Sequence, residues 1–129
     1  MRTRQLIGAA VAVALLTSGY LVVTAFNRMR DESFVRDALL MGAEVIQSKL
    51  RESQGELTQQ EMEQVFTNHH DASVSPIWFD AARRPVDAWG THFRITYDSS
   101  HPAAWVLCES AGPDRVFGTE DDLSYRTEK

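Results

Sequence analysis

The chain has 129 residues, 13 Lys and Arg against 18 Asp and Glu for a net charge of −5, and one cysteine. That length predicts a single domain with a modest core, and one cysteine excludes an internal disulfide. The acid is concentrated beyond residue 30, where 9 basic residues face 18 acidic ones, and so acidic a domain repels phosphates, which excludes nucleic acid as a partner.

Leu6 to Phe26, LIGAAVAVALLTSGYLVVTAF, is a run of 21 residues without a charge. As an α-helix it is about 31 Å long, the thickness of a bilayer's hydrocarbon core. Arg2 and Arg4 precede it, and Arg28 and Arg30 follow. A signal peptide has a similar layout, with Val23-Thr24-Ala25 as the small-residue cleavage site. The run is longer than an ordinary signal core and helix pattern continues past it, which favours a retained anchor. Residues 1–5 are then cytoplasmic, 6–26 cross the membrane, and 27–129 form an extracytoplasmic domain; the balanced arginines orient it only weakly.

Beyond the anchor, Phe34, Val35, Ala38, Leu39, Gly42, Val45, Ile46 and Leu50 recur at helical spacing and make one wide apolar stripe. With no proline from residue 3 to 53, one helix of about 50 residues is predicted, stopping at Gly55. A second helix opens at LTQQEM, where Thr58 and Glu61 have the spacing of a capping box, flanked by Leu57 and Met62 in staple positions. It runs to about His69, with Met62, Val65 and Phe66 inward. The adjacent His69 and His70 in NHHD point about 100° apart and read as decoration of a helix C-terminus, where cation and dipole attract.

Strand pattern follows. In HFRITYD, Phe93, Ile95 and Tyr97 alternate with polar residues. DSSHPA is a turn, AAWVLCES a second strand with Trp105 and Leu107 on one face, and LSYR a short third. Trp78 and Trp89 read as plugs between helix and sheet, and Cys108 as a buried structural thiol. His92, on the polar strand face, and His101, in the turn, have no evident partner. The fold class is therefore α+β: a long N-terminal helix packed on a three-stranded antiparallel sheet. With no nucleophile–base pair, phosphate loop or cofactor motif, neither an enzyme nor a small-molecule substrate is expected.

The loop SAGPDRVFGTEDDL, within residues 110–122 and into the last strand, holds the chemistry. Asp114 lies seven and eight residues before Asp121 and Asp122, with Gly112-Pro113 and Gly118 bending the chain between them. Calcium needs six to eight oxygens from carboxylates, carbonyls and water. Adjacent aspartates converge only off a regular strand, so the last strand should begin at Leu123 or later. The absence of Cys and His in the loop disfavours zinc, and Val116 and Gly118 exclude an EF-hand. On spacing alone the loop reads as a solvated acidic turn.

PVDAWGTHFRITY and WVLCESAGPDRVFGTEDDL, residues 85–97 and 105–123, together resemble the C-terminal half of the major pseudopilin of type II secretion systems, general secretion pathway protein G. The resemblance implies a pilin-like fold and a calcium loop with Asp114, Asp121 and Asp122 as carboxylate ligands. Backbone carbonyls near Ser110 and Phe117 are further implied ligands. It also implies a single-pass protein of the bacterial inner membrane, its domain in the periplasm or outside the cell. Its implied partners are copies of itself, other pseudopilins and secretion components. The N-terminus departs from the family: Gly8 is followed by Ala9 instead of the prepilin Phe-Thr-Leu-Ile-Glu, no acid precedes Asp31, and Arg115 stands where a glycine is usual. Prepilin processing and polymerisation therefore do not carry over, and a non-polymerising anchored or secreted binding module is the alternative.

Overall fold

In the computed structural model, residues 2–72, 78–98 and 105–127 are described. The order is helix α1 (Arg2–Glu52), helix α2 (Gln59–Ala72), then strands β1 (Trp78–Phe79), β2 (Pro85–Val86), β3 (Arg94–Asp98), β4 (Trp105–Ser110) and β5 (Leu123–Arg126). The chain divides into two compact units, Met1–Asp31 and Glu32–Lys129.

In the first unit α1 is long and apolar enough, by length and composition, to cross a membrane. From Gly8 onward its side chains are exposed, among them Leu15, Leu16, Leu21 and Phe26. Thr17, Ser18 and Thr24 each donate a hydroxyl to the carbonyl four residues back at 2.8 Å, which pairs these three donors within the helix where water is absent.

In the second unit the remainder of α1 packs on the sheet. Val35, Leu39, Ala43, Ile46 and Leu50 form one core with Met62 and Phe66 of α2 and with Ile95, Val106, Cys108 and Leu123. Gly42 is required there, because a Cβ at that position would collide with the Phe66 ring. The helix stops in a Schellman turn earlier than its glycine: Gln54 takes φ +58°, and Gly55 N–H donates to the Leu50 carbonyl at 2.7 Å. Lys49 and Arg51 in the last turn offset the dipole.

The capping box of α2 forms as the sequence predicts. Glu61 Oε2 accepts from Thr58 N–H at 2.8 Å, and Glu61 N–H donates to Thr58 Oγ1 at 3.2 Å. The Thr58 N–H bond, then a second one at 2.8 Å that the Thr58 hydroxyl donates to Glu61 Oε2, hold the Glu61 carboxyl below its usual range. Thr58→Ala is expected to lower stability by about 1 kcal/mol, read from a chemical denaturation midpoint.

β3, β4 and β5 form an antiparallel sheet in that order, with Ile95 opposite Cys108 and Cys108 opposite Tyr125. The buried face of β4 is Val106, Cys108 and Ser110; Trp105 and Leu107 are half-exposed, and the Arg126 guanidinium lies 4.1 Å over the Trp105 ring. Trp89 packs against the core as a plug, whereas Trp78 is exposed on β1, which pairs with β2 in a small second sheet. That hairpin is absent from the sequence reading. The DSSHPA turn after Asp98, including His101, lies outside the described residues, as do the side chains of His70 and Asp71.

Burial pushes the Cys108 thiol up to about 12, with the neighbouring Glu109 charge adding to the effect. A thiol kept protonated and enclosed is a poor nucleophile. Maleimide at pH 8 should leave Cys108 unlabelled in the folded chain and label it fully in denaturant; mass spectrometry distinguishes the two.

Candidate metal loop

The loop joins two paired strand ends, since Ser110 of β4 lies opposite Leu123 of β5. β5 begins at Leu123, as the adjacent aspartates require. Gly112, at φ +69°, brings the two sides of the bend together: a Cβ there would strike the Asp121 carbonyl. Arg115 N–H donates to the Gly112 carbonyl at 3.1 Å to close a turn, and Arg115 itself is left-handed at φ +62°, a conformation that favours glycine.

The carboxylates are used unequally. Asp114 is exposed, and its Oδ1 accepts from Val116 N–H at 2.9 Å. Asp122 is half-buried; its Oδ2 accepts from Gly118 N–H at 2.7 Å, while its Oδ1 is buried and has no hydrogen-bond partner. Asp121 is half-buried and presents its backbone carbonyl to Gly112. Among the described residues no three His, Cys, Asp or Glu side chains are grouped to hold a metal ion, so Asp114, Asp121 and Asp122 do not stand as a ready triad. The reason is local: Asp114 and Asp122 each spend one oxygen on a loop amide, the competition usual for Asp in turns. What the loop offers a hard cation is the orphaned Asp122 oxygen. A dication there would draw its remaining oxygens from carbonyls and water, which calcium tolerates.

The side chains of the other two predicted positions are engaged elsewhere. The Phe117 ring lies under Arg94, whose guanidinium is 4.2 Å from the ring centroid. Arg94 also holds Glu109 across the sheet through Nε at 2.8 Å, and this bond, with the nearby charges of Glu109 and Asp122, raises its pKa.

Ser110 is fully buried and donates from Oγ to Asp87 Oδ2 at 2.7 Å, while Gly112 N–H donates to Ser110 Oγ at 3.2 Å. Asp87 is also buried. Its Oδ1 accepts from Trp89 N–H at 3.0 Å and Thr91 N–H at 2.9 Å. A buried carboxylate is tolerable because donors satisfy both oxygens. In the sequence Asp87 stands out only within PVDAWGTHFRITY, and the link to Ser110 is not visible there; a Ser closing a strand, matched with an Asp that opens a turn, is the signal for it.

A second carboxylate overturns the expectation that His92 lacks a partner. Asp80 Oδ2 lies 2.8 Å from His92 Nε2 and 2.9 Å from Arg84 Nε, and its Oδ1 accepts from the Ala82 and Arg84 amides. The His92 bond, then those with Arg84 and Ala82, hold the Asp80 carboxyl far below the usual range. The β1–β2 hairpin, closed by the Val86–His92 bridge, makes the meeting possible.

Compared with protein-family models, with curated proteins and with solved structures, the chain matches none.

Proposed function

We infer that the chain is a membrane-anchored, pseudopilin-like structural protein of a secretion or pilus-type assembly, with a C-terminal loop stabilised by calcium. The observation that carries the calcium part is the buried Oδ1 of Asp122, which has no hydrogen-bond partner, in a glycine-bent loop that contains no His or Cys. Asp122 holds the ion, the Asp121 and Phe117 segments supply carbonyls, and Asp114 contributes charge from the far side of the bend. The bound ion supplies charge neutralisation in the turn. The chain's own contribution is to fix where β5 starts, and so which surface the sheet offers to a neighbouring subunit.

On this reading the domain lies on the outer side of a bacterial inner membrane, with the membrane and further pseudopilin-type subunits as partners; what supports it is one helix long and apolar enough to cross a bilayer. A second reading has a specific observation behind it. No acid lies between Met1 and Arg30 and Gly8 is followed by Ala9, so the features for prepilin cleavage and subunit register are missing. This favours a non-polymerising anchored module built on the same domain. Expression in a Gram-negative host tests the anchor. Carbonate-resistant membrane association with an N-terminus at or before Gly8 is expected, whereas a soluble product beginning at Phe26 would contradict it.

A further inference from the structure

We propose that the cleft between α2 and the β1–β2 hairpin is a binding site for a carboxylate carried on an apolar body. None of its residues belongs to the 110–122 loop, so the site stands apart from the calcium reading.

The cleft has a volume of about 620 Å³, the size of a small-molecule site. Phe66, Phe93 and Pro85 give it an apolar lining, and Phe93 and Pro85 are only half-buried, so apolar surface is open to a ligand. Gln60 and Gln64, four residues apart and exposed on α2, add side-chain amides with no hydrogen-bond partner among the described residues. The charge of the lining is opposite to that of the domain. Beyond residue 30 there are 9 basic and 18 acidic residues, yet the cleft sets Arg83 and Arg84 against Glu63. Glu63 Oε1 is itself engaged by Gln59 Nε2 at 3.3 Å. By charge complementarity such a cleft favours an anion.

One turn, built on Asp80, presents both arginines. Asp80 Oδ1 accepts from the Ala82 and Arg84 amides, each at 2.9 Å, and Arg83 N–H donates to the Asp80 carbonyl at 3.0 Å. These bonds hold Arg83 at φ +61°, a left-handed conformation that a non-glycine residue keeps only where its surroundings impose it. Arg84 gives Nε and Nη2 to Asp80 Oδ2, both at 2.9 Å, which fixes the guanidinium and leaves Nη1 for a further acceptor. A planar guanidinium already held in place matches a carboxylate at low ordering cost. The same Asp80 oxygen orients His92, at 2.8 Å from Nε2. An ionised carboxylate only accepts, so in the neutral ring Nε2 carries the proton and Nδ1 is left as an acceptor. A ligand with an N–H beside its carboxylate, as in the last residue of a peptide, offers a partner to both Arg84 and His92.

The test uses the isotope-labelled full chain in detergent micelles, followed by two-dimensional NMR at Arg84 Nε–H, the Gln64 side-chain amide and the Phe93 backbone amide. The probes are 3-phenylpropionate, the tripeptide acetyl-Ala-Ala-Phe with a free C-terminus, and the same tripeptide as its C-terminal amide. Both acids are expected to shift the cleft signals saturably, and the peptide amide to bind about tenfold more weakly than the peptide acid. Arg84→Gln should weaken the peptide acid about tenfold and leave the peptide amide unchanged. The acid and amide are compared on wild type, so the outcome does not depend on the variant folding. A tripeptide acid that binds about tenfold more tightly than 3-phenylpropionate assigns a chain end as the ligand, and equal affinity assigns a free organic acid; both uphold the site. No shift in the cleft with either acid, equal affinity for peptide acid and peptide amide, or an undiminished affinity in folded Arg84→Gln overturns it.

Discussion

Phe66→Ala is expected to lower the free energy of unfolding by about 3–5 kcal/mol, the usual cost of removing a ring from a closed core. Phe66 is completely buried at the centre of the second unit, where α2 meets α1 and β3. Its ring centroid lies 5.1 Å from that of Phe93 in a tilted pair, and its edge fills the space left by the missing side chain of Gly42. Truncation therefore loses both the buried area and the aromatic contact, and the backbone of α1 cannot move in to close the hole without distorting a helix. A domain of this size has about 5–15 kcal/mol in total, so the variant should be near the limit of folding at 37 °C.

The same contact predicts a non-additive pair. Gly42→Ala alone should destabilise by about 1–3 kcal/mol, because the new methyl meets the ring. In the Phe66→Ala background that obstacle is gone, and the helix gains up to about 1 kcal/mol of alanine propensity. A change of sign between the two backgrounds, read from denaturation midpoints, is the expected signature of a contact between these two residues.

Asp122→Asn is the second substitution with a large expected effect, and it appears only in the presence of the ion. The amide oxygen of Asn can keep the bond from Gly118 N–H that Asp122 Oδ2 now accepts, so the turn is preserved. In chelator the variant should stay within about 1 kcal/mol of wild type. With calcium at a hundred times its Kd, wild type gains about 2.7 kcal/mol from binding and the variant does not. Thermal melts in the two buffers separate these terms. An equal loss in both would assign Asp122 a role in the turn alone.

What could be read in advance was whatever depends on neighbours in sequence. The capping box at Thr58 and Glu61, the uninterrupted helix through Glu52, the alternation of Ile95 and Tyr97 and the start of β5 at Leu123 are all set by residues a few positions apart. The misses share a different cause. In β4, Cys108 is buried as its sequence context suggests, but the same alternation puts Val106 and Ser110 on the core side and leaves the larger Trp105 and Leu107 half-exposed, with Trp105 covered by Arg126 from the next strand. The β1–β2 hairpin has only two residues in each strand and a proline in one, too short for any periodicity. Without that hairpin, Asp80 and His92, twelve positions apart, have no reason to meet.

The candidate loop was half legible for a similar reason. Composition located the acids and the bends, but which oxygens remain available depends on hydrogen bonds that only the folded turn makes. Asp114 and Asp122 each lose an oxygen to a nearby amide, and just one buried oxygen, on Asp122, is left over. Asp87 and Ser110 were less legible still, because a buried carboxylate is rare and its partner lies 23 residues away.

Calorimetric titration of calcium into the wild-type chain and into Asp122→Asn asks whether the proposed ion is held through that carboxylate. A saturable one-to-one binding heat in wild type that is lost in the variant is the expected result. No heat in wild type, or the same isotherm in both chains, would rule calcium out at Asp122.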